Sequence, residues 1–135
     1  MAGYSGTPLA KKLGIKEGAQ ISLINVPEHY FSLFTDLPSE LTITDLTNQK
    51  QDFVHFFTKQ ANEFTELLPV IRNNIKSNGI IWVSWPKKAS KVPTDLHEDF
   101  IRNFALKIGL VDVKVCAVDE IWSGLKLVVP VKDRL

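Results

Sequence analysis

The sequence predicts an α/β domain built around a mostly parallel β-sheet. Short β-branched and aromatic runs alternate with longer segments whose apolar residues recur at helical spacing, an order typical of β-α-β units. The run GIIWVSW at 79–85 is continuously apolar, as in strands that are covered on both faces. Six residues, DEIWSG, separate the last two apolar runs. This short connection favours a C-terminal antiparallel hairpin, because a parallel return needs about a dozen residues or more.

The first half of the chain predicts a short helix, two strands and a helical turn. Thr7 and Pro8 have the chemistry of an N-cap and a first helical position, and Gly14 that of a C-terminal stop, so TPLAKKLG is a predicted helix. Strands are predicted at 19–25 and 41–46, with a helical turn at EHYFSLF between them. About five residues link 41–46 to the next strand, too few for a covered parallel crossover. The strand at 41–46 is therefore expected to be short and at an edge, or else to run antiparallel.

The second half predicts four strands and two helices. Strands are predicted at 52–58, 79–85, 110–118 and 125–131. The first helix lies within 59–79, where apolar residues keep helical spacing until Gly79, and Pro69 is a candidate for a kink. The second helix begins at Thr94 or Asp95 and presents a large apolar face. The whole chain, 1–135, is thus expected to form one three-layer domain with about six strands.

Composition limits the classes of partner. The 16 Lys and Arg residues nearly balance the 15 Asp and Glu residues, and the net charge of +1 provides no global field for nucleic acid or an anionic membrane. Cys116 is the single cysteine, which excludes an internal disulfide. No segment has the apolar length of a membrane span, and the N-terminal stretch does not resemble a signal peptide. A cytoplasmic location is the expectation.

A ligand site is predicted at the carboxyl ends of the parallel strands, where connecting loops and helix starts converge. Four loops share this rim: NVPEHY after the first strand, TKQ after the strand ending at Thr58, WPKKASKVPTDL at 85–96 with three lysines, and DEIWSG, which faces the lysine loop. An anion pocket is predicted from these two loops: Lys87, Lys88, Lys91, Thr94, Asp119, Glu120 and Trp122. In the alternative interpretation the lysines pair with the two acids or are simply solvated, and Asp95 occupies the helix amides as a cap.

Searches for catalytic and metal sites find little. His29, His55, His97 and Cys116 lack metal-ligand spacing, so no metal site is expected. His55 is interpreted as a core or rim histidine and Cys116 as a buried apolar side chain. The serines at 84, 90 and 123 stand in no nucleophile elbow and have no identifiable base. GYSGTP near the N-terminus could approach a phosphate, although capping and packing of Tyr4 explain it as well.

A nucleotide-type cofactor is not expected. The glycine-rich turn that normally follows the first strand of such folds is absent, because no glycine occurs between Ala19 and Leu68. Asp45, at the end of the second strand, stands where these folds often keep a ribose-binding acid, but a surface or capping role explains it equally.

Three stretches resemble an uncharacterised bacterial family, domain of unknown function 3052: GYSGTPLAKKLGIKEG, WPKKASKVPTDLHEDFIR and GLVDVKVCAVDEIWSGLKLVV. The resemblance implies no known reaction, but it implies that the lysine loop, VCAVDE and WSGLK belong to the family's pattern. The order of elements is also similar to a shortened Rossmann-like core of S-adenosylmethionine-dependent methyltransferases. That family's last two strands form an antiparallel pair too. The chain departs from it at the glycine-rich loop and lacks about one helix-strand-helix.

The leading hypothesis is therefore a non-catalytic binding module for a small anionic ligand or a protein partner. The rival is an enzyme acting on a phosphorylated or carboxylated small molecule, with the lysines as anion clamp and Asp119 or Glu120 as acid or base. A third interpretation, binding of single-stranded nucleic acid through Trp85, Trp122 and the lysines, is disfavoured by the neutral charge balance. Whether the protein is an enzyme stays open at this point.

Overall fold

A computed structural model describes residues 7–46 and 50–134 as a six-stranded mixed sheet with helices on both faces. The sheet order is β2-β1-β3-β4-β6-β5. The first four strands are parallel, and β6 runs antiparallel to both β4 and β5. The strands are β1 Gln20–Ile24, β2 Thr42–Ile43, β3 Gln51–Phe57, β4 Ile75–Pro86, β5 Val111–Ala117 and β6 Trp122–Val128; the α-helices are α1 Leu9–Leu13, α2 Ala61–Asn73 and α3 Glu98–Lys107. The predicted fold class is confirmed.

Two apolar clusters sandwich the sheet. One packs α2 and α3 onto one face, and the other packs α1 and the 3-10 turn Tyr30–Leu33 onto the opposite face. Side chains of β3 point alternately to the two faces of the sheet, so Val54 and Phe56 pack in the first cluster and Phe53 and Phe57 in the second. This double burial explains why β3 and β4 are almost continuously apolar in sequence. None of the described helices is long and apolar enough to cross a membrane.

The structure decides the open question about the strand predicted at 41–46. β2 contains two residues, lies at the edge of the sheet and runs parallel to β1, with Gln20 opposite Thr42. Because so few residues pair, the following chain needs to travel only a short distance back to β3. Residues 47–49 of that connection lie outside the described residues.

Several predicted boundaries in the second half are wrong. The helix expected to continue to Gly79 ends at Asn73, and β4 already begins at Ile75, opposite Gln51. Ile75 continues the helical spacing of the preceding apolar residues, but its side chain is buried in the sheet instead. The last hairpin is also tighter than expected. Its loop is four residues, 118–121, because Trp122 already pairs with Pro86 in the sheet.

The predicted helix starts need correction as well. α3 begins at Glu98 with His97 as N-cap, rather than at Thr94 or Asp95. The Asp95 carboxylate instead accepts a hydrogen bond from the Ala61 amide of α2 at 2.7 Å. α1 begins after Pro8, which is its N-cap, and ends at Gly14 with φ of 89° in the left-handed region, as predicted for the stop.

Candidate functional site

A crevice opens where the connections of the sheet diverge. The segment after β1 passes to the face covered by Tyr30, while the segment after β3 enters α2 on the opposite face. Such a divergence at the carboxyl ends of neighbouring parallel strands is the usual ligand position in open α/β sheets. The crevice has a volume of about 460 Å³. It is lined by Asn25, Pro27, Phe57, Thr58, Lys59, Gln60, Glu63 and Trp122.

Asn25 closes the base of the crevice between β1 and β3. Its φ of 58° lies in the left-handed region, which asparagine tolerates better than most residues. The side-chain amide donates a hydrogen bond to the Phe57 carbonyl at 3.1 Å. The carboxyl ends of the two strands are therefore joined by a side chain at the point where a ligand would otherwise come closest to the backbone.

Thr58 fixes the turn from β3 into α2. Its hydroxyl donates to Glu63 Oε1 at 2.6 Å and accepts from the Gln60 amide at 3.3 Å. Its backbone amide donates to the Ser84 carbonyl at 3.0 Å. With these bonds in place Thr58 is buried, whereas Lys59 and Gln60 are exposed at the mouth of the crevice.

Aromatic side chains form the apolar wall. The rings of Phe57 and Trp122 meet edge to face with centroids 5.0 Å apart. Trp122 retains 8% of its surface exposed and is the member of the predicted anion pocket that lines the crevice. Trp85, 6% exposed, packs in the cluster beneath α2 and α3 and does not line the crevice.

The lysine loop lies beside the crevice and is tied to it at both ends. The Lys87 amide donates to the Ile121 carbonyl at 2.8 Å, next to Trp122. The Thr94 hydroxyl donates to the Lys59 carbonyl at 2.7 Å on the other side. Lys88 and Lys91 are exposed. None of the three lysines forms an ion pair within residues 7–46 and 50–134, so the predicted pairing with Asp119 and Glu120 is not observed there.

Asp119 forms a hydrogen bond with His29, a pairing that the sequence does not predict. The imidazole Nε2 of His29 lies 2.9 Å from Asp119 Oδ2, and Asp119 Oδ1 accepts the amides of Ile121 and Trp122 at 2.8 and 2.7 Å. Partial burial alone would raise the pKa of this carboxyl, but the hydrogen bonds from His29 and the two amides hold the pKa below its usual value. Asp119 is thus a charged group that orients a histidine and a turn. Glu120 is exposed.

His55 belongs to a buried polar network behind the crevice. The Tyr30 hydroxyl lies 3.0 Å from its Nδ1, and the Ser84 hydroxyl lies 2.8 Å from its Nε2. All three residues are at most 1% exposed. The interpretation of His55 as a core residue is confirmed. The sequence identifies no base for Ser84, and the structure places His55 beside it. Burial withdraws this pair from any substrate in solution.

The remaining sequence candidates contribute little to the site. Cys116 is half-buried rather than fully buried, and burial raises the pKa of its thiol. Asp45 is exposed at the end of β2 and does not line the crevice. Residues 3–6 of GYSGTP lie outside the described residues. Within the described part of the chain, no group of three or more His, Cys, Asp and Glu could hold a metal ion.

Comparison with known proteins identifies the fold. No family model and no curated protein matches the chain, so the resemblance to domain of unknown function 3052 is not confirmed. Solved methyltransferase structures do match. The magnesium protoporphyrin IX methyltransferase of Synechocystis PCC 6803, solved with bound SAH, matches with a TM-score of 0.62 and 12% identity over 90% of this chain and 78% of that one.

Two further structures show the same likeness. Fibrillarin from Aeropyrum pernix, solved with natively bound S-adenosyl-L-methionine, has a TM-score of 0.60 at 13% identity, covering 88% of this chain and 72% of that one. The ribosomal protein L11 methylase of Lactobacillus delbrueckii subsp. bulgaricus has a TM-score of 0.59 at 10% identity, covering 87% and 72%. The chain therefore has a Rossmann-like, methyltransferase-like fold. Identities this low establish the fold and leave the activity to be argued from the site.

The residues after β1 do not fit the cofactor that this fold implies. The expected turn is rich in glycine and leads into an α-helix whose first amides face the ligand. Here Asn25, Val26 and Pro27 follow the strand and lead into the four-residue 3-10 turn Tyr30–Leu33. The Asn25 side chain also spans the gap between β1 and β3. The turn after β1 therefore lacks both the glycines and the α-helix start that the cofactor loop of such folds normally supplies.

Proposed function

We propose that this domain is a binding module, that its ligand occupies the crevice between β1 and β3, and that it does not transfer methyl groups. The observation that carries the proposal is the crevice itself, which lies at the fold's usual ligand position but is lined by Asn25 and Pro27 instead of a glycine turn. A crevice with a rigid aromatic wall and a few polar groups at its mouth is typical of small-molecule sites.

The lining favours a ligand with a planar apolar part and an anionic part. The planar part would pack against the wall of Phe57 and Trp122, as aromatic rings commonly do. The anionic part would lie towards Lys59 at the mouth and the neighbouring lysine loop, whose ammonium groups are unpaired within the described residues. Glu63 already accepts a hydrogen bond from Thr58, which keeps its carboxylate against the wall.

The test combines ligand screening with matched lysine variants. Thermal unfolding of the chain is followed with nucleotides, sugar phosphates and aromatic carboxylates, and hits are titrated by tryptophan fluorescence. Trp82 and Trp85 are buried in the core, so a fluorescence change should come from Trp122 and disappear in Trp122→Phe. Lys87→Ala/Lys88→Ala should weaken the binding of an anionic hit by about tenfold or more, as expected for lost charged contacts.

The control double variant is Lys107→Ala/Lys132→Ala, which removes two exposed lysines elsewhere on the chain and should leave affinity unchanged. Equal affinities of both double variants would remove the lysine loop from the site. Two results together would refute the small-ligand proposal. The first is that no small molecule shifts thermal unfolding, and the second is that Trp122→Phe and Lys87→Ala/Lys88→Ala bind a purified acidic peptide as tightly as wild type.

A second candidate function, acid–base catalysis, is favoured by one observation. His29 is half exposed at the rim, and Asp119 holds its ring through the 2.9 Å hydrogen bond. This orientation by a carboxylate is the arrangement that general bases commonly use. In this version His29, rather than Asp119 or Glu120, moves the proton. His29→Gln should abolish turnover of a bound ligand while its affinity is kept; a ligand that is bound and never converted by wild type would refute the candidate.

A further inference from the structure

Arg72 is a charged side chain with an unexplained buried nitrogen. It lies in the last turn of α2, near the amino ends of β3 and β4 and thus at the opposite edge of the sheet from the crevice. Its Nε is buried and has no hydrogen-bond partner among the described residues, where the guanidinium also makes no ion pair. A buried donor on a cation is costly to leave unpaired, so such an atom usually marks a missing partner.

Arg72 is one of the residues that line a cavity of about 570 Å³. The cavity is lined by Lys50, Arg72, Ile75, Lys76, Ser77, Asn78, Val129 and Asp133. Three of these side chains are cations and one is an acid, and Ser77 and Asn78 add polar donors. The lining is therefore biased towards a negatively charged occupant.

The neighbouring cations are already committed to other partners. Lys50 Nζ donates to the Asn73 carbonyl at 2.7 Å, and Lys76 Nζ pairs with Asp52 at 2.8 Å. Arg72 is packed on one side against Gly109, where an added methyl group would come within 3.7 Å of its Nη2. The buried Nε and the contact with Gly109 restrict the rotamers of the Arg72 side chain, which lowers the entropy cost of binding.

We propose that this cavity binds the phosphate group of a small molecule, with Arg72 as the principal contact. A guanidinium presents paired donors that match a phosphate, and Lys50 supplies further charge without having to leave the Asn73 carbonyl. Ser77 and Asn78 would donate to the remaining oxygens. The Asp133 carboxylate and the negative end of α2 oppose the anion, so affinity depends on the Arg72 contacts.

Inorganic phosphate is the probe for the test. Phosphate is titrated into the full chain at constant ionic strength, with chloride replacing it in the control, while the side-chain Nε–H resonance of Arg72 is followed by NMR. The resonance should shift with saturation and should be missing from Arg72→Lys. By calorimetry, Arg72→Gln should bind phosphate about tenfold or more weakly. Lys132→Gln, an exposed lysine outside the cavity, should bind it as wild type does.

The outcomes separate this site from the crevice. Phosphate bound in the crevice should not shift the Arg72 Nε–H resonance, because the crevice lies at the opposite edge of the sheet. No saturable shift with phosphate beyond that with chloride, or equal affinity in Arg72→Gln, would overturn the proposal. If Arg72→Gln does not fold, the Nε–H titration of wild type and the affinity of Lys50→Gln, expected to fall at least severalfold, decide it. A stronger response to acetate than to phosphate would also overturn the assignment to phosphate.

Discussion

A single buried histidine connects the packing of this domain to solution pH. His55 is fully enclosed, between the Tyr30 and Ser84 hydroxyls and against the Phe57 ring at 4.3 Å. Burial lowers its pKa from 6.5 to about 3, because the imidazolium would lose its hydration. The neutral ring can use one nitrogen as donor and the other as acceptor, which suits two hydroxyl partners.

The pH dependence of folding should report this residue. Between about pH 6.5 and pH 3 the unfolded chain holds a proton on His55 that the folded chain does not, so stability falls as pH falls through this window. From pH 7 to pH 5 the loss is about 2 kcal/mol, against about 0.1 kcal/mol from pH 8 to pH 7. Urea unfolding at pH 8, 7 and 5 measures this loss of stability. In His55→Gln the loss from pH 7 to pH 5 should be smaller by about 2 kcal/mol. An unchanged loss in the variant would show that other groups cause the pH dependence.

At the same scale, Trp122 is the one member of the predicted anion pocket that lines the crevice. Trp122 was predicted because an aromatic side chain stands in a rim loop, and it does line the crevice. His29 and Asp119 are 90 residues apart, so their hydrogen bond depends on strand order that periodicity does not provide. Asn25 and Lys59 lie in NVPEHY and TKQ, two loops expected at the rim, but neither residue carries a motif; the pairing of β1 with β3 is what would have singled them out.

Among the elements, α2 shows how a helix can be capped from a distant loop. Gln60 at its N-cap position makes no side-chain cap, and Asp95 supplies the acceptor from 34 residues further along the chain. The Asp95 and Thr94 bonds to the segment 59–61 also fix the end of the lysine loop beside the crevice. This use of Asp95 explains why the prediction of an α3 start at that position failed. Cap chemistry is visible in sequence, whereas the helix it serves is not.

Asp95→Ala should therefore destabilise α2 rather than α3. The expected loss is about 0.5–2 kcal/mol, as for other N-cap removals, and Asp95→Asn should recover most of it because the amide oxygen still accepts the bond. Chemical denaturation measures both. Glu120→Ala, which removes an exposed acid on the same rim, should stay within about 0.5 kcal/mol of wild type. If Asp95→Ala speeds amide exchange in the first turn of α3 and leaves the exchange of α2 unchanged, the assignment is contradicted.

For the whole molecule, element order was enough to predict the layers and the antiparallel end of the sheet. Alternation of strand and helix patterns constrains a chain strongly, because right-handed crossovers leave few topologies. Boundaries failed where one apolar residue suits two structures, as Ile75 suits both the end of a helical pattern and the start of β4. The sequence also marked where the chain departs from its structural neighbours. The missing glycines predicted an altered turn, and the structure shows Asn25 bridging the two strands there.

That altered turn leads to a prediction about the fold's usual cofactor. A ligand at 100 times its dissociation constant raises stability by about 2.7 kcal/mol, which corresponds to a shift of several degrees for a domain of this size. S-adenosylmethionine or its demethylated product at about 1 mM should produce no such shift here, because the turn after β1 lacks the glycines and the α-helix start of the usual cofactor loop. The Synechocystis methyltransferase solved with bound SAH, run in the same assay, is the positive control. A saturable shift with this chain would show that the crevice accepts the cofactor without a glycine turn, and binding without methyl transfer would then have to be tested with the cofactor present.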